Sequence, residues 1–243
     1  MLEKKIMGIP DKTELVVLPE MFSTGFSMQP QKLAEIMEGE TVSWMKKTAS
    51  AKKAILTGSV MIAEAGHYYN RLLWVLPNGT LGYYDKRHRF AFAGEHEAYT
   101  AGNKRLVASV KGWKLNLQVC YDLRFPVWAR QQPGETPEYD ILLYVANWPE
   151  RRNHAWKTLL TARAIENQSY VIGVNRVGYD GNGINHCGDS MVIDALGATL
   201  YHNAAGEDVH TIVLQKEPLA EIRSRFPFWK DADEFNIIQT DGK

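Results

Sequence analysis

An α/β fold, with a pair of mixed sheets sandwiched by helices, is what this sequence predicts, and three observations predict it. Short strand-type runs, several of them joined as hairpins, alternate with a few long helical stretches. Two runs, residues 15–18 and 141–145, are continuously apolar, as strands buried on both faces of a sheet are. No repeat, low-complexity segment or linker interrupts the 243 residues. With 45% of them apolar, residues 1–243 read as one domain with a sizeable core.

The elements follow in order. Residues 1–8 read as the end of a helix closed by Gly8 and Pro10. The apolar strand 15–18 ends at Pro19-Glu20, and a loop follows to Pro30. Residues 40–53 form an amphipathic helix with Val42, Met45 and Ala49 on one side, capped by Thr41 or by Gly39-Glu40. A strand at 54–61 comes next. Runs 72–76 and 80–84 then flank Pro77-Asn78-Gly79, whose Asn-Gly supplies the positive φ of a tight hairpin. The second arm ends in Asp85-Lys86-Arg87-His88, and a loop carries Gly94-Glu95-His96.

Residues 106–110 and 113–119 pair through Lys111-Gly112, the second with Leu115, Leu117 and Val119 alternating with Asn116 and Gln118, the pattern of a half-buried strand. It runs into Cys120, after which Phe125-Pro126 suits the first turn of a new helix. The strand 141–145 ends at Asn147-Trp148-Pro149. Helix 154–167 carries Trp156, Leu160 and Ala164 at helical spacing, and strand 170–174 ends at Asn175-Arg176. Residues 178–188 read as a loop, 191–193 open a hairpin turning near Gly197, and 209–214 pair with it. A last helix at 217–225 precedes an aromatic tail.

Composition excludes several function classes. Lys plus Arg and Asp plus Glu both number 28, so no long-range field points to nucleic acid or a membrane surface. Two cysteines, far apart and in neither zinc nor redox spacing, indicate a reducing compartment. No apolar run reaches membrane-spanning length and the N-terminus has no signal-peptide core, which predicts a cytoplasmic protein. The histidines show no metal spacing and no glycine-rich phosphate loop occurs, so neither metal nor cofactor is expected.

Glu20, Lys86, Cys120, Asn147 and Arg176 each stand at or just beyond the C-terminal end of a predicted strand, the edge where open α/β sheets bind ligands. A thiol needs a base to become nucleophilic, and Glu20 can be that base. Acyl transfer develops negative charge on a carbonyl oxygen, which Lys86 can meet as a fixed cation, with backbone N–H groups of the turn after Cys120 as further donors. Taken singly, each has a blander reading: a buried core thiol, a capping or ion-paired carboxylate, a solvated basic turn.

Leu18-Pro19-Glu20-Met21-Phe22, Tyr84-Asp85-Lys86-Arg87-His88 and Val119-Cys120-Tyr121-Asp122-Leu123-Arg124-Phe125-Pro126 resemble, in order, the three blocks of the nitrilase superfamily of carbon–nitrogen hydrolases. Residues 144–149, 162–168 and 188–190 resemble its later blocks, and within the superfamily the blocks are most similar to the omega-amidase branch. The resemblance implies a four-layer α-β-β-α sandwich, commonly a homodimer through a helical face. It implies Cys120 as nucleophile, Glu20 as general base, Lys86 as stabiliser of the tetrahedral intermediate, Glu95 as a positioning carboxylate and the Tyr121 N–H as oxyanion donor. The implied substrate is the ω-amide of a small dicarboxylic acid, such as a 2-oxo acid monoamide, hydrolysed through a cysteine thioester to the acid and ammonia. Nitrilase or N-carbamoyl-amine hydrolase activity are alternatives, and a catalytically silent binding protein is the alternative of another class.

A distal carboxylate calls for a cation, and Arg124, Arg163 and Arg176 are the candidates, with Asn147 and Trp148 as further substrate-binding candidates. The other reading of Arg124 is a structural ion pair with Asp122 or a neighbouring carboxylate. Cys187, in a polar stretch, is not expected to react. Family members open with an apolar strand before the helix that leads to the Leu-Pro-Glu block. The resemblance therefore implies that this first strand is missing here; either Met1 is internal to a longer chain, the favoured expectation, or a rearrangement or a partner fills the gap.

Overall fold

The computed structural model describes residues 1–204 and 206–238. Two β-sheets lie face to face, each covered on its outer side by helix. The first sheet has the order β1 (Leu15–Val17), β2 (Ile55–Glu64), β3 (His67–Val75), β4 (Leu81–Asp85). The second runs, from its other edge, β5 (Val107–Val110), β6 (Trp113–Val119), β7 (Ile141–Ala146), β8 (Tyr170–Asn175), β10 (Asn185–Ile193), β11 (Thr199–Ala204). The short β9 (Val177–Tyr179) pairs with β10. The helices are α1 (Leu2–Met7), α2 (Pro30–Leu33), α3 (Glu40–Lys52), α4 (Glu95–Ala98), α5 (Pro126–Ala129), α6 (Asn153–Asn167) and α7 (Lys216–Arg225).

Three apolar layers hold this stack together. Between the sheets, Leu72, Trp74 and Tyr84 pack with Leu115, Leu117, Val119, Leu143 and Val145. Outside the first sheet, Val42, Met45 and Ala49 of α3 cover Leu56, Val60 and Leu73. Outside the second, Trp156, Leu160 and Ala164 of α6 cover Leu142, Tyr144 and Val171. This is the α-β-β-α sandwich that the family resemblance implies. Gly173 permits the close approach of α6, because a Cβ there would stand 2.6 Å from Leu160.

The elements correct several expectations. β2 continues into β3 through Ala65-Gly66, both at positive φ, a two-residue hairpin that an alanine in the first turn position conceals from the sequence. β6 is buried on both faces, not half-buried. Asn116 and Gln118 are fully enclosed and bond to each other at 2.9 Å, because the segment after Cys120 folds back over that face. The expected loop 178–188 is mostly ladder: β9 and β10 pair at residues 177–179 and 185–187. Gly39 takes the N-cap of α3, one of the two expected caps, and the side-chain acceptor that a glycine lacks comes from the remote Glu35, whose carboxylate accepts from the N–H groups of Thr41 and Val42.

The strand expected at 209–214 does not form. Both edges of β10 are taken, by β11 on one side and by β8 and β9 on the other, so the segment cannot pair with that strand. That segment instead lines a groove of about 1290 Å³ that also runs along β1, with Val213 84% exposed. The same groove leaves Leu15 and Val17 half-buried, where burial on both faces is expected of them. Among the described residues no helix is long and apolar enough to cross a membrane.

Candidate active site

Strand ends bring the chemistry together. Lys86 directly follows β4, Cys120 follows β6, Asn147 follows β7, and Glu20 lies three residues past β1. Glu95 opens α4, a short helix where the sequence reads only as loop. Glu20, Lys86 and Glu95 are all buried, and they form one ion-paired cluster. The Lys86 Nζ donates to Glu20 Oε1 at 3.0 Å and to both oxygens of Glu95 at 2.9 and 2.8 Å.

The carboxylates are held from behind. Glu20 Oε1 accepts from Asn70 Nδ2 at 2.7 Å, and Oε2 accepts from the Asn147 N–H at 2.8 Å. The Asn147 side chain donates in turn to the Glu20 carbonyl at 2.7 Å. Asn147 therefore touches Glu20 directly, besides lining the cavity described below as its expected substrate-binding place requires. Asn70 is a residue that sequence reasoning missed. It sits in the half of β3 hidden by the Ala65-Gly66 turn, and its carbonyl also accepts the Lys86 N–H.

Cys120 occupies a strained turn. Its φ of 44° lies in the left-handed region, which costs a residue with a Cβ about 1–3 kcal/mol and marks a site held in place by its surroundings. Asp122 supplies that hold. Its buried carboxylate accepts from the Val119 N–H, the Tyr84 hydroxyl, and both the backbone N–H and the ring Nδ1 of His88. The turn carrying the thiol is thereby fastened to the strand that delivers Lys86. With Asp122 so engaged, the alternative reading of Arg124 as its ion partner does not hold.

Burial is the largest influence on the thiol and pushes its pKa well up; the Glu20 charge and hydrogen bond push the same way, with Lys86 opposing. Cys120 at rest is thus a neutral thiol beside a carboxylate, not a thiolate. Burial works to lower the Lys86 pKa, but Glu20 and Glu95 outweigh it and raise it, so the amine stays a cation. Glu95 is raised by burial, with Lys86 opposing and the Glu20 charge reinforcing the rise. Since the folded value lies above the ordinary carboxylate range, Glu95 takes up a proton on acidification earlier than a free glutamate. We expect kcat/KM to fall on the acid side at a pH above that range, and Glu95→Gln to lose this limb together with roughly 10²-fold in kcat. A pH profile of Glu95→Gln with the limb unmoved would assign the titration elsewhere.

Above the cluster opens a cavity of about 350 Å³, with Lys86 and Cys120 at its inner end and Phe26, Phe90, Tyr121, Arg124, Trp148 and Arg152 in its wall. Arg124 and Trp148 thus lie where substrate-binding candidates should. Arg163 and Arg176 do not line it. Arg163 is buried beneath the nucleophile turn, donating to the Leu123 carbonyl at 2.6 Å and to Glu166 at 3.0 Å. Arg176 donates to the Tyr179 carbonyl and faces the long groove. Cys187 lies on β10 and not in a loop. Its Sγ meets Asp189 Oδ2 at 3.1 Å, outside the cavity wall.

A protonated thiol near a carboxylate and an enclosed ammonium is equipped to attack a carbonyl, pass the proton on and hold the resulting oxyanion. Comparisons with known proteins point the same way. The carbon-nitrogen hydrolase family model matches residues 2–224. Omega-amidase YafV of Escherichia coli K12 is 44% identical over 239 residues, covering 97% of this chain and 90% of the relative. A 2-oxoglutaramate amidase of Bacillus subtilis is 32% identical, over 90% of this chain and 84% of its own. Among solved structures, XC1258 of Xanthomonas campestris, a CN-hydrolase superfamily protein with an arsenic adduct in its active site, superposes with a TM-score of 0.95 at 46% identity. It covers 97% of this chain and 91% of that one.

Proposed function

The chain belongs to the carbon–nitrogen hydrolase family, and from that premise we propose that it hydrolyses the ω-amide of a small dicarboxylic acid through a thioester on Cys120. The observation that carries the reading is the buried Lys86 cation, clasped by Glu20 and Glu95 at the inner end of the cavity that Cys120 shares. Glu20 takes the thiol proton as Sγ bonds to the amide carbon. The oxygen, now negative, is held by the Lys86 Nζ and the Tyr121 N–H. The intermediate collapses by breaking its C–N bond, and ammonia leaves with the proton that Glu20 returns. Water then attacks the thioester, giving one proton to Glu20. The C–S bond breaks, the acid departs and the thiol regains its proton. Glu95 positions Lys86 throughout and exchanges no proton.

The preferred substrate is a 2-oxo acid monoamide, in keeping with the 2-oxoglutaramate amidase among the relatives. The cytoplasm and a homodimer belong to the same reading. Both cysteines are free thiols, as a reducing compartment keeps them. Val127 on α5 and Ile165 on α6 offer exposed apolar area for a helical interface.

Ammonia release from a panel of small ω-amides, with a matching nitrile and an N-carbamoyl amine alongside, tests the assignment. The 2-oxo acid monoamides should turn over fastest. A faster nitrile, or carbon dioxide released together with ammonia, would move the enzyme to another branch of the family.

A further inference from the structure

The cavity wall carries two guanidinium groups that, among the described residues, meet only aromatic rings. Arg124 lies across the face of Trp148, its guanidinium 4.9 Å from the ring centroid, and Arg152 lies across Phe90 at 5.1 Å. Among the described residues neither guanidinium has a hydrogen-bond or ion-pair partner. Other arginines of this chain do: Arg71 binds Asp85 and Glu64, and Arg223 binds Asp140 and two carbonyls. Arg152 is half-buried, with its main chain fixed by the Trp148 indole, which donates to the Arg152 carbonyl at 2.8 Å. The one carboxylate among the described lining residues, Asp180, is committed to the N–H groups of its own loop at Asn182 and Ile184.

A half-buried guanidinium held only by an aromatic face lacks the planar oxygen pair that its fork matches. Burial, then the neighbouring Arg151 charge and the Arg124 charge, hold the Arg152 pKa below its usual value, so an anion arriving between them would relieve the repulsion. The cavity wall is thus built for a carboxylate on a substrate whose amide carbon reaches Cys120.

We propose that Arg152, together with Arg124, clamps the distal carboxylate of the substrate, and that Arg152 sets the preference for charged over neutral amides. The proposal rests on the amidase reading above and deepens it. The sequence gives no hint of it, since Glu150-Arg151-Arg152 reads as a charged surface run.

The test compares glutaramate with 5-methylhexanamide, which replaces the carboxylate by an uncharged isopropyl group of similar size. The wild-type enzyme should prefer glutaramate. Arg152→Gln should lower that preference about 10- to 100-fold, the scale of a lost charged hydrogen bond, mainly through KM. Arg152→Lys should restore part of it. An unchanged preference in Arg152→Gln would overturn the clamp while leaving the amidase reading intact, and so would an equal loss on both substrates. A wild-type enzyme indifferent to the carboxylate would also remove the clamp but not the reaction. No ammonia from any member of the amide panel would defeat the reading itself, and the clamp with it.

Discussion

Cys120→Ala stops turnover, with a loss of at least about 10⁴-fold in kcat, the scale seen when an acyl-transfer nucleophile is removed. The substitution keeps the Cβ, so the strain at a φ of 44° is unchanged, and Asp122 still fastens the turn, so thermal stability should change little. In the unsubstituted enzyme, a substrate analogue that acylates but deacylates slowly should leave its adduct on the peptide containing Cys120. Cys187 is the internal control. Burial and its contact with Asp189 raise its pKa, and it stands apart from Lys86 and the cavity. Mass spectrometry that finds the acyl group on Cys187, or an alanine variant that keeps its rate, would refute the thioester mechanism.

The second large effect is expected at Lys86. Lys86→Ala removes the cation that the developing oxyanion needs, which alone costs on the order of 10²–10³ in kcat. It also leaves Glu20 and Glu95 facing one another in a dry site, where two like charges do not both persist at neutral pH. One of them takes up a proton, which by its already raised pKa is Glu95, so the like-charge repulsion is relieved there and the rate loss is that of the missing cation. Breaking a buried ion cluster by removing one partner costs about 3–5 kcal/mol, so Tm should fall by roughly 10 °C. Lys86→Arg keeps the charge and should regain stability ahead of rate. Its longer fork preserves the ion pairs but misplaces the donor. If Lys86→Ala retained both the rate and the Tm of the parent, the amine would be a bystander.

The chemistry was legible because it follows strands. Glu20, Lys86 and Cys120 come at or just beyond strand ends whose pattern survives in the sequence, and strand ends are where α/β sheets bind ligands. The sandwich was legible for the same reason, in the long apolar stripes of α3 and α6 and the hairpin at Asn78-Gly79. Where local pattern conflicted with packing, packing decided. Asn116 and Gln118 alternate as a solvated face would, yet they are buried, because the chain after Cys120 returns over them. Residues 209–214 look like a strand, yet pairing needs an open neighbouring edge, and β10 has none to offer.

By itself, then, the sequence determined the two-sheet architecture and the placing of a carboxylate, an amine and a thiol at strand ends, since strand periodicity and strand ends are local properties. The tertiary structure alone decided which side chains serve those groups. Asn70 reaches Glu20 across fifty positions of sequence. Arg163 turns out to prop the nucleophile turn, and Arg176 to face the groove. Arg152, unremarkable in sequence, stands in the cavity wall with no hydrogen-bond or ion-pair partner for its guanidinium among the described residues. A long guanidinium side chain can point to either side of its element at little local cost, so only the packing around it selects the direction.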